Sequence, residues 1–408
     1  MTEENRSSGK RTSMSKTMLM PQPEKLEIKN TRRQFTIGIP REEDKNENRI
    51  SLTPMTIEML IKEGHQVFIQ SNAGLRANFQ DLHFTEAGAV IVQNKEEIYR
   101  CDIVLKVSPP TEIELGLLKE RAIIISILNL TTQTPAFFKR LAEKKVTAMA
   151  FEFIKDENDC FPIVRSMSEI AGSTSVLIAA EYLSNVHEGK GEMLGGITGV
   201  NPSEVIIIGS GTAGEYAART ALGLGAIVKV FDSSTYKLKR LQNNLGQRIF
   251  TSMIIPEVLS NALKSADVLI GAMRKTHTDL SYTVTEDMIK RMKRGSVAID
   301  ISIDQGGCIE SSRMTTHQHP VFVKHGVIHY CVPNIPSRVA RTASYALSNI
   351  FAPLIQELSM AGDIRILLRD KTTARNSVYV FDGILTNRNI GNHFNLPYQD
   401  INLLMAAF

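Results

Sequence analysis

An α/β fold of two doubly wound domains, each on a parallel sheet, is predicted by three observations. Short apolar runs alternate with helical stretches along most of the chain, a pattern that gives parallel strands covered by helices on both faces. The run Val205-Ile206-Ile207-Ile208 leads directly into Gly209, Gly211 and Gly214 in G-x-G-x-x-G register, then a helix and a second strand. The chain's 408 residues are enough for two cores of ordinary size.

Taken in order, residues 1–33 are polar, mixed in charge and rich in Ser, Lys and Arg. They lack the apolar core of a signal peptide and read as a mobile N-terminal extension, with a short amphipathic helix expected after Pro21. The first domain opens with a strand at 35–40, and further strands are expected at 66–70, 89–92, 102–107, 123–127 and 147–151. Helical patterns such as 54–63 and 135–144 lie between them. A long helix over 168–185 is expected to carry the chain into the second domain, followed by a Gly-rich loop at 189–199. Later strands fall at 268–272, 296–301 and 327–330. A long helix at 341–360 is expected to cross back, so that 34–165 and 341–408 form a discontinuous first domain around a second at 166–340.

The glycine motif carries the most specific chemistry. The apolar run before it has the length and β-branching of a strand buried on both faces. Gly209 permits a tight turn, Gly211 lets the backbone approach a pyrophosphate, and Gly214 with Ala217, Ala218 and Ala221 lets the helix lie close to the sheet. The helix N-terminus at Thr212 and Ala213 offers unpaired N–H groups to negative charge. A second run, Ile227-Val228-Lys229-Val230-Phe231, ends at Asp232, eighteen residues past Gly214, where a carboxylate would accept hydrogen bonds from ribose hydroxyls. Strand, turn, helix, strand and acid together predict a Rossmann-like dinucleotide site. No arginine directly follows Asp232, which favours NAD over NADP because the carboxylate would repel a 2′-phosphate.

Composition narrows the class further. Hydrophobic content of 43% and charged content of 22% are those of a soluble globular protein. A net charge of +4 is small for this length and predicts no nucleic-acid or membrane partner. No apolar run approaches the ~18 residues that span a bilayer. Cys101, Cys160, Cys308 and Cys331 are far apart without metal-ligand spacing; they read as buried free thiols of a reducing, cytoplasmic compartment.

Several polar residues outside the fingerprint stand where strands end, the side of an open α/β sheet that lines its crevice. Asn48 and Arg49 follow the first strand, and Arg49 either clamps a carboxylate by a two-pronged contact or is solvated. Lys106 ends a strand and is either functional or exposed. Asp304 lies on the Gly306-Gly307 loop, and Asn334 stands between two prolines; turn and cap roles are the alternatives for both. His317 and His319 look like a metal pair but have no acidic or cysteine partner at ligand spacing, so an exposed loop is expected. The basic loop 274–277 either touches phosphate or is solvated.

These motifs in this order resemble the alanine dehydrogenase family, which shares its fold with the NAD(H)-binding part of nicotinamide nucleotide transhydrogenase. The resemblance covers about residues 35–365 and runs through GIPREEDKNENRISLTP, SMSEIAGS, IIIGSGTAGEYAA, AIDISIDQGGC and HYCVPNIP. The tail is similar to that of a divergent branch. Such enzymes oxidise L-alanine to pyruvate and ammonia with NAD and are usually hexamers, so the resemblance implies NAD and a homo-oligomer here. By the same likeness Arg49 holds the substrate carboxylate, Met167 lines the substrate pocket, Ser168 contacts cofactor, Asp304 lies beside nicotinamide ribose and substrate, and Asn334 lies at the nicotinamide.

Two positions depart from the family pattern. Where the family has Lys-Val-Lys-Glu-Pro, this chain has Lys106-Val107-Ser108-Pro109-Pro110, so Lys106 is kept and the second substrate-binding lysine is Ser108. The family's catalytic histidine is Asn129, in Leu128-Asn129-Leu130. Deamination needs a proton acceptor as water adds to the imine, and asparagine cannot serve as one in the way histidine does. Asp304 or Lys106 is then expected to take that proton. Three readings follow: an amino-acid dehydrogenase with a rearranged base, a transhydrogenase-like NAD(H)-binding subunit, and an NAD-binding protein without chemistry.

Overall fold

The structure is a computed structural model that describes residues 32–273 and 282–406. The N-terminal extension with its expected helix, apart from Arg32 and Arg33, and the basic loop 274–277 lie outside the described residues.

The chain first lays down β1 (Thr36–Ile39), β2 (Gln66–Gln70), β3 (Val90–Val92), β4 (Ile103–Leu105), β5 (Ile123–Ser126) and β6 (Thr147–Ala150). It then forms β7 (Glu204–Ile208), β8 (Ile227–Asp232), β9 (Phe250–Met253), β10 (Val268–Gly271), β11 (Val297–Asp300), β12 (Val321–Lys324) and β13 (Val327–Tyr330), and last β14 (Val378–Phe381) and β15 (Ile384–Leu385). Among the described residues these make two sheets, ordered β15-β14-β6-β5-β4-β1-β2-β3 and β12-β13-β11-β10-β7-β8-β9. Pairing is parallel in both except where β12, β14 and β15 join. Each sheet is covered on two faces by separate apolar clusters, so inner strands such as β4, β5, β6, β10 and β11 are buried runs rather than alternating ones.

Both sheets are mostly parallel as expected, with antiparallel strands added at one end of each. Phe381 and Ile384 pair across Asp382-Gly383, both with positive φ. Lys324 and Val327 pair across His325-Gly326 in the same way. Two central residues of positive φ match the right-handed twist of a hairpin, and Asp-Gly is a strong signal for that turn. The run Val378-Tyr379-Val380-Phe381 before Asp-Gly was therefore a readable strand.

Two long helices set the layout. The linking helix spans Pro162–Tyr182, not 168–185, because Pro162 needs no N–H partner in the first turn and so starts the helix earlier. Its start packs into the first sheet's core through Ile163 and Met167, and its later turns pack into the second's through Ala171, Val176 and Ala179. The helix Ala340–Ala361 returns to the first core, burying Leu347, Phe351 and Ile355. Cys101, Cys308 and Cys331 are buried, but Cys160 is exposed because it lies on the polar turn after Asp156. No described helix is long and apolar enough to cross a membrane.

Candidate active site

In the first sheet β6, β5, β4 and β1 are neighbours, and the segments beyond their C-terminal ends bring charged side chains together. Glu42, after β1, reaches over to β4. One oxygen accepts the Val107 N–H at 2.6 Å, and the other accepts Lys106 Nζ at 3.0 Å and the Ser108 hydroxyl. Lys106 meets a second carboxylate, Glu114, at 3.3 Å, and all three charged side chains are buried. One ammonium between two carboxylates leaves a buried excess of negative charge. Burial above all, with the charge on Glu47, holds Glu42 above the usual carboxylate range despite Lys106, Ser108 and the Val107 N–H. For Lys106, burial acts downward, but Glu42 and Glu114 together hold it above the usual lysine value. Lys106 is thus neither an exposed lysine nor a ready proton acceptor; it is a fixed positive charge.

Beside this group, Glu47 organises the residues that the sequence singled out separately. Arg49 grips it in two prongs, Nε to Oε1 at 2.7 Å and Nη2 to Oε2 at 2.6 Å. The remaining Arg49 arm donates to Met167 Sδ at 3.3 Å, and Asn334 Nδ2 donates to Glu47 Oε2 at 3.0 Å. Arg49 is buried and already holds a carboxylate from its own loop, which replaces the picture of a solvated arginine. Burial opposes the charge on both partners, yet their mutual attraction prevails: Glu47 lies below its ordinary value and Arg49 above. The loop is stapled to the second half of the chain by Asn48 N–H to Ser337 Oγ at 2.8 Å and by Ser337 Oγ–H to the Asn46 carbonyl at 2.7 Å.

Lys106, Ser108 and Asn129 open onto one cavity of about 360 Å³, with Glu43, Asp44 and Gln133 among its other walls. Ser108 and Asn129 therefore face the same space. Asn129 is exposed and left-handed (φ 43°), and the half-buried Asn334 is left-handed as well (φ 61°). Asparagine tolerates that conformation better than most residues, a structural reason for it at both positions.

The strand ends of the second sheet offer backbone rather than charge. Gly209 turns at φ 99°, and a side chain on Gly211 would meet nothing within 4 Å, so the space in front of this turn is open to a ligand. On Gly214 a Cβ would stand 1.9 Å from the Gly209 carbonyl oxygen, and on Gly172 of the linking helix 2.2 Å from that of Ala213. The helix Thr212–Gly223 is thus wedged against both strand and linking helix, its N-terminal N–H groups at the turn. Asp232 is buried; one oxygen accepts the Ser210 N–H at 2.7 Å and hydroxyl at 2.8 Å, the other the Ser234 N–H at 2.9 Å. An open cradle, a helix N-terminus and a fixed carboxylate suit a dinucleotide. Asp304 sits exposed in the turn Ile303–Gln305 beyond β11, and Ser168 is half-buried next to Met167.

His317 corrects an expectation. It is half-buried, its backbone N–H reaches Asn46 Oδ1 at 3.4 Å, and its buried Nε2 has no partner among the described residues. Burial above all holds it below the usual histidine range, with Arg338 acting the same way and the Asn334 backbone, Glu47 and Asp44 opposing. The TTHQHP loop is drawn against the Glu47 group, which spacing along the chain could not reveal. Glu42, Glu47, Glu114 and Glu152 also went unread. Only Glu47 had a local signal, two residues from Arg49.

Two family models match, the N-terminal domain of alanine dehydrogenase/PNT over residues 38–171 and its C-terminal domain over 175–388. The chain belongs to the alanine dehydrogenase/PNT family. An alanine dehydrogenase of Staphylococcus saprophyticus is 39% identical over 366 residues, which cover 90% of this chain and 98% of that protein. A solved L-alanine dehydrogenase superposes with a TM-score of 0.82 at 32% identity, covering 88% of this chain and 99% of its own. A transhydrogenase from Sinorhizobium meliloti, at 22% identity and TM-score 0.73 over 87% of this chain and 99% of its own, shares the fold.

Proposed function

We propose that this protein catalyses NAD-dependent, reversible oxidative deamination of L-alanine: alanine, NAD⁺ and water give pyruvate, ammonium, NADH and a proton. The observation that carries this reading is the Glu47 junction, where Arg49 of the first sheet and Asn334 of the second meet on one carboxylate. Residues 34–165 with 341–408 then form the substrate side and 166–340 the cofactor side. Bound NAD supplies the hydride acceptor. Gly209, Gly211, Thr212, Ala213 and Gly214 hold its pyrophosphate, Asp232 its adenosine ribose, and Ser168, Asp304 and Asn334 its nicotinamide end. Arg49, with free N–H capacity beyond Glu47, and Lys106, held as an ammonium, supply positive charge for the substrate carboxylate, with Met167 beside them. Ser108 and Asn129 offer hydrogen bonds in the cavity but no titrating group. A homo-oligomer, a hexamer by family resemblance, is expected by light scattering.

Purified protein mixed with NAD and L-alanine at alkaline pH should form NADH, and Arg49→Ala should abolish it while NADH fluorescence binding persists. One observation favours a second reading, an NAD-binding protein without chemistry: Ser108 and Asn129 both face the cavity. Tight NADH binding without turnover in either direction would select it. Under the dehydrogenase reading Asn129→His with Ser108→Lys should raise alanine turnover.

A further inference from the structure

β5 and β6 are adjacent parallel strands, with Ser126 paired to Ala150. Two residues beyond that pair, in the turn Phe151–Phe153, the Glu152 side chain reaches back to the end of β5. Its Oε1 accepts the Leu128 N–H at 2.9 Å, and its Oε2, equally buried, has no partner among the described residues. The group it holds is the N–H of Leu128, the residue before Asn129, and the Asn129 carbonyl in turn accepts the Thr132 hydroxyl at 2.9 Å. Glu152 thus holds the strand end carrying position 129 from the β6 side, while Ile127 N–H to the Val107 carbonyl at 3.1 Å and Gln133 Nε2 to the Leu128 carbonyl at 2.9 Å hold it elsewhere.

We propose that Glu152 is the positioning residue that supplies, from behind Asn129, the titrating charge which position 129 itself lacks. The proposal rests on the dehydrogenase reading. Burial pushes this carboxyl up to about 6, against the lowering effect of the Leu128, Glu152 and Asn129 backbone N–H groups. Among the described residues no cation offsets the burial. The ionisable side chain facing it is Tyr379 of β14, raised by its own burial and next by the charge on Glu152. Glu152 therefore changes charge close to neutrality. Ionised, it keeps its hold on the β5 end and places negative charge behind the cavity wall, which favours proton arrival there as water adds to the imine. Protonated, it loses that charge and weakens the hold on Leu128.

The test is the pH profile of alanine-dependent NADH formation for the wild type, Glu152→Gln and Glu152→Asp. The wild type should lose kcat/KM about tenfold per pH unit as pH falls below about 6. Glu152→Gln should lower the alkaline plateau roughly tenfold and flatten that limb, with NADH affinity unchanged, and Glu152→Asp should restore the limb. Melting curves supply a readout apart from turnover. The folded pKa lies above the unfolded one, so ionised Glu152 costs stability that returns at low pH. Glu152→Gln should therefore gain in melting temperature relative to wild type as pH rises from 4.5 through 6. An unchanged acid limb in a folded Glu152→Gln overturns the role, and its loss in His317→Gln instead would move it to that histidine. No turnover by the wild type overturns the dehydrogenase reading and this role with it, whereas turnover with an unmoved limb overturns the role alone.

Discussion

The C-terminal edges of the two sheets are built by different physics. At the first sheet, ions buried in pairs set the site: Lys106 between Glu42 and Glu114, Arg49 on Glu47. At the second, a glycine turn, a helix N-terminus and one hydrogen-bonded carboxylate do so. A buried ion pair tolerates loss of one partner poorly, because the other is left charged in a dry environment. A backbone cradle instead fails by crowding. The first edge should therefore break through charge and pH, the second through volume.

The largest effect should come from Lys106→Met. Two buried carboxylates would lose their counter-ion, at a cost of about 3–5 kcal/mol near pH 8. Glu42 is already raised by burial, and in the variant it would rise further. A carboxyl whose folded pKa exceeds its unfolded one destabilises above that folded pKa and is relieved as pH falls. Urea unfolding at pH 5 and pH 8 should show the loss shrinking at the lower pH; an equal loss at both would dissolve the contrast with the second edge.

Gly214→Ala tests crowding. Its Cβ would stand 1.9 Å from the Gly209 carbonyl, so the turn must move. Overpacking of this kind costs about 1–3 kcal/mol, and NADH titration should show affinity falling at least tenfold with no dependence on pH between 6 and 8.

Arg49→Lys keeps the charge and removes the two-pronged grip on Glu47. KM for alanine should rise about tenfold, roughly 1.4 kcal/mol, while NADH affinity stays put. A fall in NADH affinity instead would show that the Glu47 junction serves both edges.

Ser210→Ala should be the mildest. It deletes the hydroxyl bond to Asp232 but leaves the backbone N–H on the same oxygen. A loss of about 0.5–1.5 kcal/mol is expected, seen as a severalfold weaker NADH titration.

The same contrast explains what could be read beforehand. The fingerprint from Val205 to Asp232 needs only neighbours along the chain: an apolar strand, a turn, a helix and the next strand. The strand runs of the first sheet were legible for the same reason, as was the Asp382-Gly383 hairpin, although its significance as an antiparallel pair went unread. Lys106 and Asn129 were found only as isolated residues, and nothing in their local sequence foretold their partners. His317 was misplaced because a polar loop looks alike in water and against a neighbouring unit.

By itself, then, the sequence determined the element types and the glycine-rich turn before the helix at Thr212. All of these follow from local propensity, periodicity and residue size. Only the tertiary structure decided that Glu42 would pair with Lys106 from 64 residues away, that Asn334 would bind Glu47 from 287 away, and that Glu152 would hold the N–H of Leu128. Which carboxylate meets which cation depends on strand order within the sheet and on how the two sheets are joined. Burial then turns that proximity into shifted charge states, which no spacing along a chain encodes.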